Sequence, residues 1–139
     1  MAVAVEEKRA GDGRKIRKIR VFGGPVTVPA GTTSAHSDDL MEHLAASAGY
    51  HSMQVHVTGT GTLTVEQQSS CDGTTYGDAK DRNGTDITTL LAGQTATTSG
   101  DCHDVAIMLA YGSKLRLRET GGSGSVTADV HLTIIVRED

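Results

Sequence analysis

A chain of 139 residues is long enough for one domain with its own apolar core and too short for two of ordinary size. Aromatic residues make up only 3 %, with no Trp and a single Phe, so Val, Leu, Ile, Met and Ala must build the core, and stacking platforms for bases or sugar rings are scarce. The net charge of −4 argues against a nucleic-acid footprint spread over the whole surface, and no apolar run approaches the roughly 20 residues needed to cross a bilayer as a helix.

The positive charge is concentrated at the start, where Lys8, Arg9, Arg14, Lys15, Arg17, Lys18 and Arg20 crowd together. Residues 1–18 combine mixed charge with glycine and read as an exposed basic arm, leaving residues 19–139 as the folded domain. Such an arm is a solvated segment, a docking element for an acidic protein surface or a nucleic-acid contact, with Glu6 and Glu7 weighing against the last. The opening "MAVAVEEKRAGDG" lacks the long apolar stretch of a secretory leader, which predicts a soluble chain made in the cytoplasm.

A first strand is expected to begin near Ile19. Val26 and Val28 alternate with Thr27 between Pro25 and Pro29, and prolines cannot donate to a ladder, so this segment belongs at an edge or rim. "SDDLMEHLAASAGY" is the helical candidate: Asp38 or Asp39 caps it, Glu42 completes a capping box with Asp39, Leu40, Leu44 and Ala48 share a face, and Gly49 closes it. Met53, Val55 and Val57 then alternate with polar residues, as do Leu63 and Val65, and the two runs meet across Gly59-Thr60-Gly61, which predicts a β-hairpin. Asp72-Gly73 supplies a turn.

Beyond the polar loop "GDAKDRNGTD", residues 87–95 offer a short strand. Three further strands are read from Val105, Ile107, Leu109 and Tyr111, from Leu115 and Leu117, and from the alternating run Val126 to Ile134, joined by "GS" and "TGGSGS". Many short strands with Gly-rich turns predict an all-β, antiparallel, jelly-roll-like sandwich of about eight strands with one short helix.

The chemistry-bearing residues form no constellation that points to catalysis. The glycine-rich stretches lead into strands, whereas a phosphate-cradling loop leads into a helix. Cys102 and His103 are neighbours in sequence, and neighbours on a strand face opposite ways. The six histidines show no helical ligand pair, and Asp81, Asn83 and Gly84 give only a partial calcium rhythm, with Ala79 at its first position, so no metal and no cofactor is expected. Cys71 and Cys102 both sit beside turn residues; free thiols and a single bridge between them are both open from sequence.

"VTGTGTLTVEQQSSCDGTTY" resembles the hairpin-and-turn pattern of small β-sandwich proteins of tailed-phage virions, capsid decoration (cement) proteins among them, and "KLRLRETGGSGSVTADVHLTIIV" is similar to their closing hairpin. The likeness runs from about Tyr50 to Val136 and departs at Cys71, where polar residues such as Asn are usual. It implies a non-enzymatic protein of the capsid exterior, a homo-oligomer, commonly a trimer, whose partner is the major capsid protein. Two other readings stay open: a glycan- or receptor-binding module of a tail or adhesion apparatus, and a jelly-roll coat protein whose basic arm contacts nucleic acid.

Overall fold

The computed structural model describes residues 2–138. Met1, the side chain of Ala48 on the expected helix face and that of Tyr50 at the start of the resemblance lie outside the described residues. Among the described residues there are ten strands: β1 (Ala4–Arg9), β2 (Lys15–Arg20), β3 (Val26–Val28), β4 (Ser47–Gly59), β5 (Leu63–Ser70), β6 (Gly77–Asp78), β7 (Thr89–Gln94), β8 (Cys102–Val105), β9 (Gly112–Glu119) and β10 (Val126–Val136). One short helix, α1 (Met41–Leu44), precedes β4. No helix among these residues is long and apolar enough to cross a membrane.

Two antiparallel sheets form a β-sandwich. The first runs β1-β2-β10-β4-β8, with β3 paired to β10 beyond the end of β2; the second centres on β5, flanked by β9 on one side and by β6 and β7 on the other. The alternation in β10 buries Val126, Ala128, Val130, Leu132 and Ile134 and turns Thr127, Asp129, His131 and Thr133 the other way. Facing them across the interior, Leu63, Val65, Leu115 and Leu117 are fully buried. β3 has a single ladder partner, as its bracketing prolines require.

The amino-terminal segment is not a free arm. Residues 4–9 pair with residues 15–20, and the latter with β10 at Leu132↔Ile19, so the boundary expected at residue 19 falls inside β2. The segment is held by its backbone ladders and by the buried Ile19, and Glu6, Glu7 and Asp12, together with Glu138 and Asp129, pair with the cations that would otherwise repel one another. Arg9 makes a two-pronged pair with Glu138 (2.8 and 3.0 Å), Arg17 reaches Glu7 (3.1 Å), Lys18 reaches Glu6 (3.3 Å) and Arg14 reaches Asp12 (2.7 Å). Lys15 lies 3.7 Å from Glu138, and Arg20 chelates Asp129, whose pKa is lowered first of all by that guanidinium. Lys8 stays exposed.

Neither expected hairpin forms. β4 lies in the first sheet and β5 in the second, so Gly59-Thr60-Gly61 carries the chain across the sandwich, and residues 120–125 do the same between β9 and β10. The two crossings touch backbone to backbone, with Thr60 N and Gly61 N donating to Ser125 O (3.2 and 3.0 Å). A Cβ on Gly59 would stand 2.6 Å from Ser125 O, and Gly59 has φ +99°, so only glycine fits.

One carboxylate holds this end together. Glu119, 2 % exposed, accepts from the backbone N–H groups of Thr62 (2.7 Å), Gly31 (3.0 Å), Gly121 (2.9 Å) and Gly122 (2.6 Å). It thereby ties both crossings to the turn after β3. These donors, Thr62 and then Gly31 foremost, lower its pKa to about 2.

The helical candidate is cut to one turn because the residues from Ser47 onward join β4, where Ser47 pairs with Val136. Asp39 Oδ1 accepts from Met41 N (3.0 Å) and also from Ser113 N of β9 (2.8 Å), and no capping box forms at α1. The same segment seals the outer edge of β9: Ser34 and Ser37 hydroxyls accept from Leu117 N (2.9 Å) and Leu115 N (3.0 Å), while their own N–H groups donate to the carbonyls of Leu117 and Leu115. Side-chain oxygens thus replace the carbonyls of a missing strand.

Cys71 follows β5 in the second sheet and Cys102 opens β8 at the edge of the first; both are free and exposed. Both thiols are therefore expected to react in the native protein with an aqueous thiol reagent without prior reduction. Cys71→Asn should melt with wild type in oxidising and in reducing buffer alike, whereas loss of a bridge closing about 30 residues would destabilise the variant by roughly 3 to 4 kcal/mol in the oxidising buffer alone.

Candidate functional site

The segment between β8 and β9 departs most clearly from its strand-like pattern. Val105 and Ile107 are buried as alternation requires, but Leu109 is 83 % and Tyr111 74 % exposed. The break is imposed by Gln67, whose buried side chain accepts from Met108 N (2.9 Å) and donates to Ile87 O (2.8 Å). That grip removes Met108 from any ladder and directs the next residues outward.

Around this protruding loop lie features that fix its shape. The Tyr111 ring covers Gly73, where a Cβ would come within 2.8 Å of the ring and φ is +83°. Asp72 builds that turn by accepting from Thr75 N (2.8 Å) and Thr74 N (2.9 Å), which holds its carboxyl well below the usual range. Tyr76 packs over Gly112 and carries Lys114 Nζ 4.4 Å from its ring centroid, and burial is the main cause of its raised pKa.

Beside Leu109 a groove of about 290 Å³ is walled mainly by Met41, Leu44, Ala45 and Ile107, with His51, Ser47 and Arg137 adding polar groups. The Nδ1 atom of His51 is buried without a hydrogen-bond partner, and burial lowers its pKa, so the groove carries a neutral imidazole in a mainly apolar wall. An exposed apolar knob next to a mainly apolar hollow is a surface suited to protein contact.

A second surface covers the outer face of the first sheet. Two shallow grooves of about 400 and 270 Å³ share Lys18 and Thr133. Gln54, His56 and His131 line the smaller one, the two imidazoles standing edge to face at 5.4 Å. It offers hydrogen-bonding groups but no flat aromatic platform. Cys102 opens onto this groove while His103, paired with Met53, lies on the inner side, so the adjacent thiol and imidazole are not brought together.

Of the cations expected to dock a partner, Arg9, Arg14, Lys15, Arg17, Lys18 and Arg20 are engaged within the chain. Asp81 accepts from Asn83 N and Thr85 N (both 2.9 Å), an ordinary turn. No group of three or more His, Cys, Asp or Glu side chains placed to hold a metal occurs among the described residues. Leu109, Tyr111 and Glu119 were not distinguishable from strand residues by alternation; only the Glu beside the Gly-rich turn in "RETGGSG" hinted at a carboxylate serving backbone donors.

No family model matches the chain, and no curated protein matches it significantly. Solved structures resemble it at low similarity. The CBM22-1 xylan-binding domain of Paenibacillus barcinonensis Xyn10C is 12 % identical, with 99 % of this chain and 83 % of that one covered and a TM-score of 0.45. The enzymatically active domain of bacteriophage CBA120 tailspike protein 4 is 11 % identical, with 98 % and 18 % covered and a TM-score of 0.37. The structure of T=1 particles derived from infectious bursal virus is 13 % identical, with 97 % and 31 % covered and a TM-score of 0.32. What they share with this chain is a general β-sandwich.

Proposed function

We propose that this chain is a non-enzymatic structural protein of a tailed-phage virion, a capsid decoration protein that bridges subunits of the major capsid protein from the outside. The observation that carries the reading is the protruding loop of Leu109 and Tyr111 beside the groove of Met41, Leu44 and Ile107. The resemblance of residues 57–76 to virion sandwich proteins supports it. Trimer formation follows from that resemblance. Bound in several copies, modest contacts add by avidity and hold the shell by mass action, without chemistry.

The test is co-sedimentation with undecorated shells. Leu109→Asp is expected to weaken attachment about 100-fold by placing a charge in a desolvated contact, while the circular dichroism spectrum and melting temperature stay unchanged. Undiminished attachment of this variant would remove the loop from the interface, and absence of wild-type binding to any shell would remove the decoration reading.

The polar grooves favour a second reading, a module that binds a hydroxyl-rich ligand across Gln54, His56, His131 and Thr133. Specific glycan binding lost in His131→Ala but kept in Leu109→Asp would select it. The nucleic-acid reading loses support from the internal pairing of the basic residues.

A further inference from the structure

β1 is the outermost strand of the first sheet, paired on one side only. The phase of its ladder is fixed by the hairpin that follows, where Ala10 N donates to Arg14 O (2.8 Å) in the same register that pairs Ala4 with Arg20. In an antiparallel ladder, bonded and non-bonded pairs alternate, so Ala4, Glu6 and Lys8 exchange hydrogen bonds with β2. Val5, Glu7 and Arg9 therefore turn their N–H and C=O groups to the open edge. All six residues of β1 are exposed.

Charges on an edge strand usually guard it against a neighbour. Here their order does the opposite for one partner. Glu6 and Lys8 stand on the same face, two positions apart, and Lys8 makes no ion pair among the described residues. We propose that β1 is a self-pairing edge that joins a second copy of this chain antiparallel about a two-fold axis at Glu7, extending the first sheet across the dimer.

In that register Val5 and Arg9 of opposite copies exchange backbone hydrogen bonds, as do the two Glu7 residues. Glu6 of each copy then lies directly opposite Lys8 of the other as a non-bonded pair, the position where cross-strand side chains come closest. Registers centred one residue away place Glu6 against Glu6 or Lys8 against Lys8. The two Glu7 carboxylates are not bare charges, because Arg17 (3.1 Å) and Lys15 (4.0 Å) of their own chains accompany each of them. This contact is isologous and pairs chains two by two, so where the chains also form the proposed trimer it joins one trimer to another, and it stands apart from the loop proposed to meet the capsid.

Cross-linking reads the register directly. With Cys71→Ser and Cys102→Ser in both chains, Glu6→Cys and Lys8→Cys proteins are oxidised singly and as a mixture. A disulfide-linked dimer is expected only in the mixture, where position 6 of one copy faces position 8 of the other. Cross-linking of either variant alone, or none in the mixture, would overturn the proposal. Independently, Val5→Pro removes an outward N–H without touching the β1–β2 ladder and is expected to weaken dimerisation of the otherwise native chain at least ~10-fold in sedimentation, with unchanged circular dichroism. Dimerisation equal to wild type, or a wild-type chain monomeric at high concentration, would refute it.

Discussion

Replacing Glu119 with glutamine or alanine is expected to lower the melting temperature at neutral pH by on the order of 10 °C, although no apolar residue is lost. Alanine leaves four backbone N–H groups, those of Gly31, Thr62, Gly121 and Gly122, without their acceptor at a site closed to water. Glutamine is no rescue, because its amide nitrogen would face two of these donors with hydrogens of its own. The change also has a pH signature. A carboxyl held at about 2 in the folded protein against an ordinary 4.5 adds stability that is complete above the higher value and is lost as pH falls toward the lower one. Thermal melts of wild type and Glu119→Ala should therefore converge between these pH values. Other carboxylates with lowered pKa, Asp72 and Asp129 among them, shape both curves alike, so the difference isolates Glu119. Parallel curves down to pH 2 would show that the four hydrogen bonds do not carry this end of the fold.

Leucine-to-alanine at two positions should separate the core from the proposed contact. Leu132 is fully buried opposite Met53, between β2 and β4 at the centre of the first sheet. Its truncation is expected to cost about 3 kcal/mol, lost transfer energy plus a cavity that the surrounding strands cannot close, or roughly 10 °C in melting temperature. Leu109→Ala removes the same atoms from a residue that is 83 % exposed and should leave the melting temperature within about a degree. Denaturant melts of both variants decide the matter, and equal losses would contradict the burial of one and the exposure of the other.

The sandwich and most of its core were legible because alternation is a local property: Met53 to Val57, Leu63 to Val65, Leu115 to Leu117 and Val126 to Ile134 all face inward as their spacing demands. Which sheet each strand joins was not, since a Gly-Thr-Gly turn between two alternating runs looks the same whether it closes a hairpin or crosses a sandwich. The choice is made by Glu119, whose partners Gly31 and Thr62 are remote in sequence. Long-range bonds misled the reading elsewhere too. Asp39 belongs to β9 as much as to a helix, and Gln67 ends the strand pattern at Met108 from across the molecule. Among the amino-terminal cations, Arg9, Lys15 and Arg20 have partners at the far end of the chain, Glu138 and Asp129, while the local acids Asp12, Glu7 and Glu6 take Arg14, Arg17 and Lys18 only once the β1–β2 ladder sets them side by side.

The place of β10 bears on how the protein acquires its fold. The last strand lies between β2 and β4, bonded to Ile19 on one side and Met53 on the other, and β5 likewise waits for β9. During synthesis the earlier strands emerge without their main partners, and only local pairs such as β1–β2 and β5–β7 can form. Closing the first sheet requires β10 to be available to β2 and β4, so the loop-closure entropy of more than a hundred residues must be overcome before the central contacts return any stability. Completion of the first sheet is thus the late step of folding, and a chain truncated before β10 keeps every strand of the second sheet but lacks the one that joins β2 to β4 in the first.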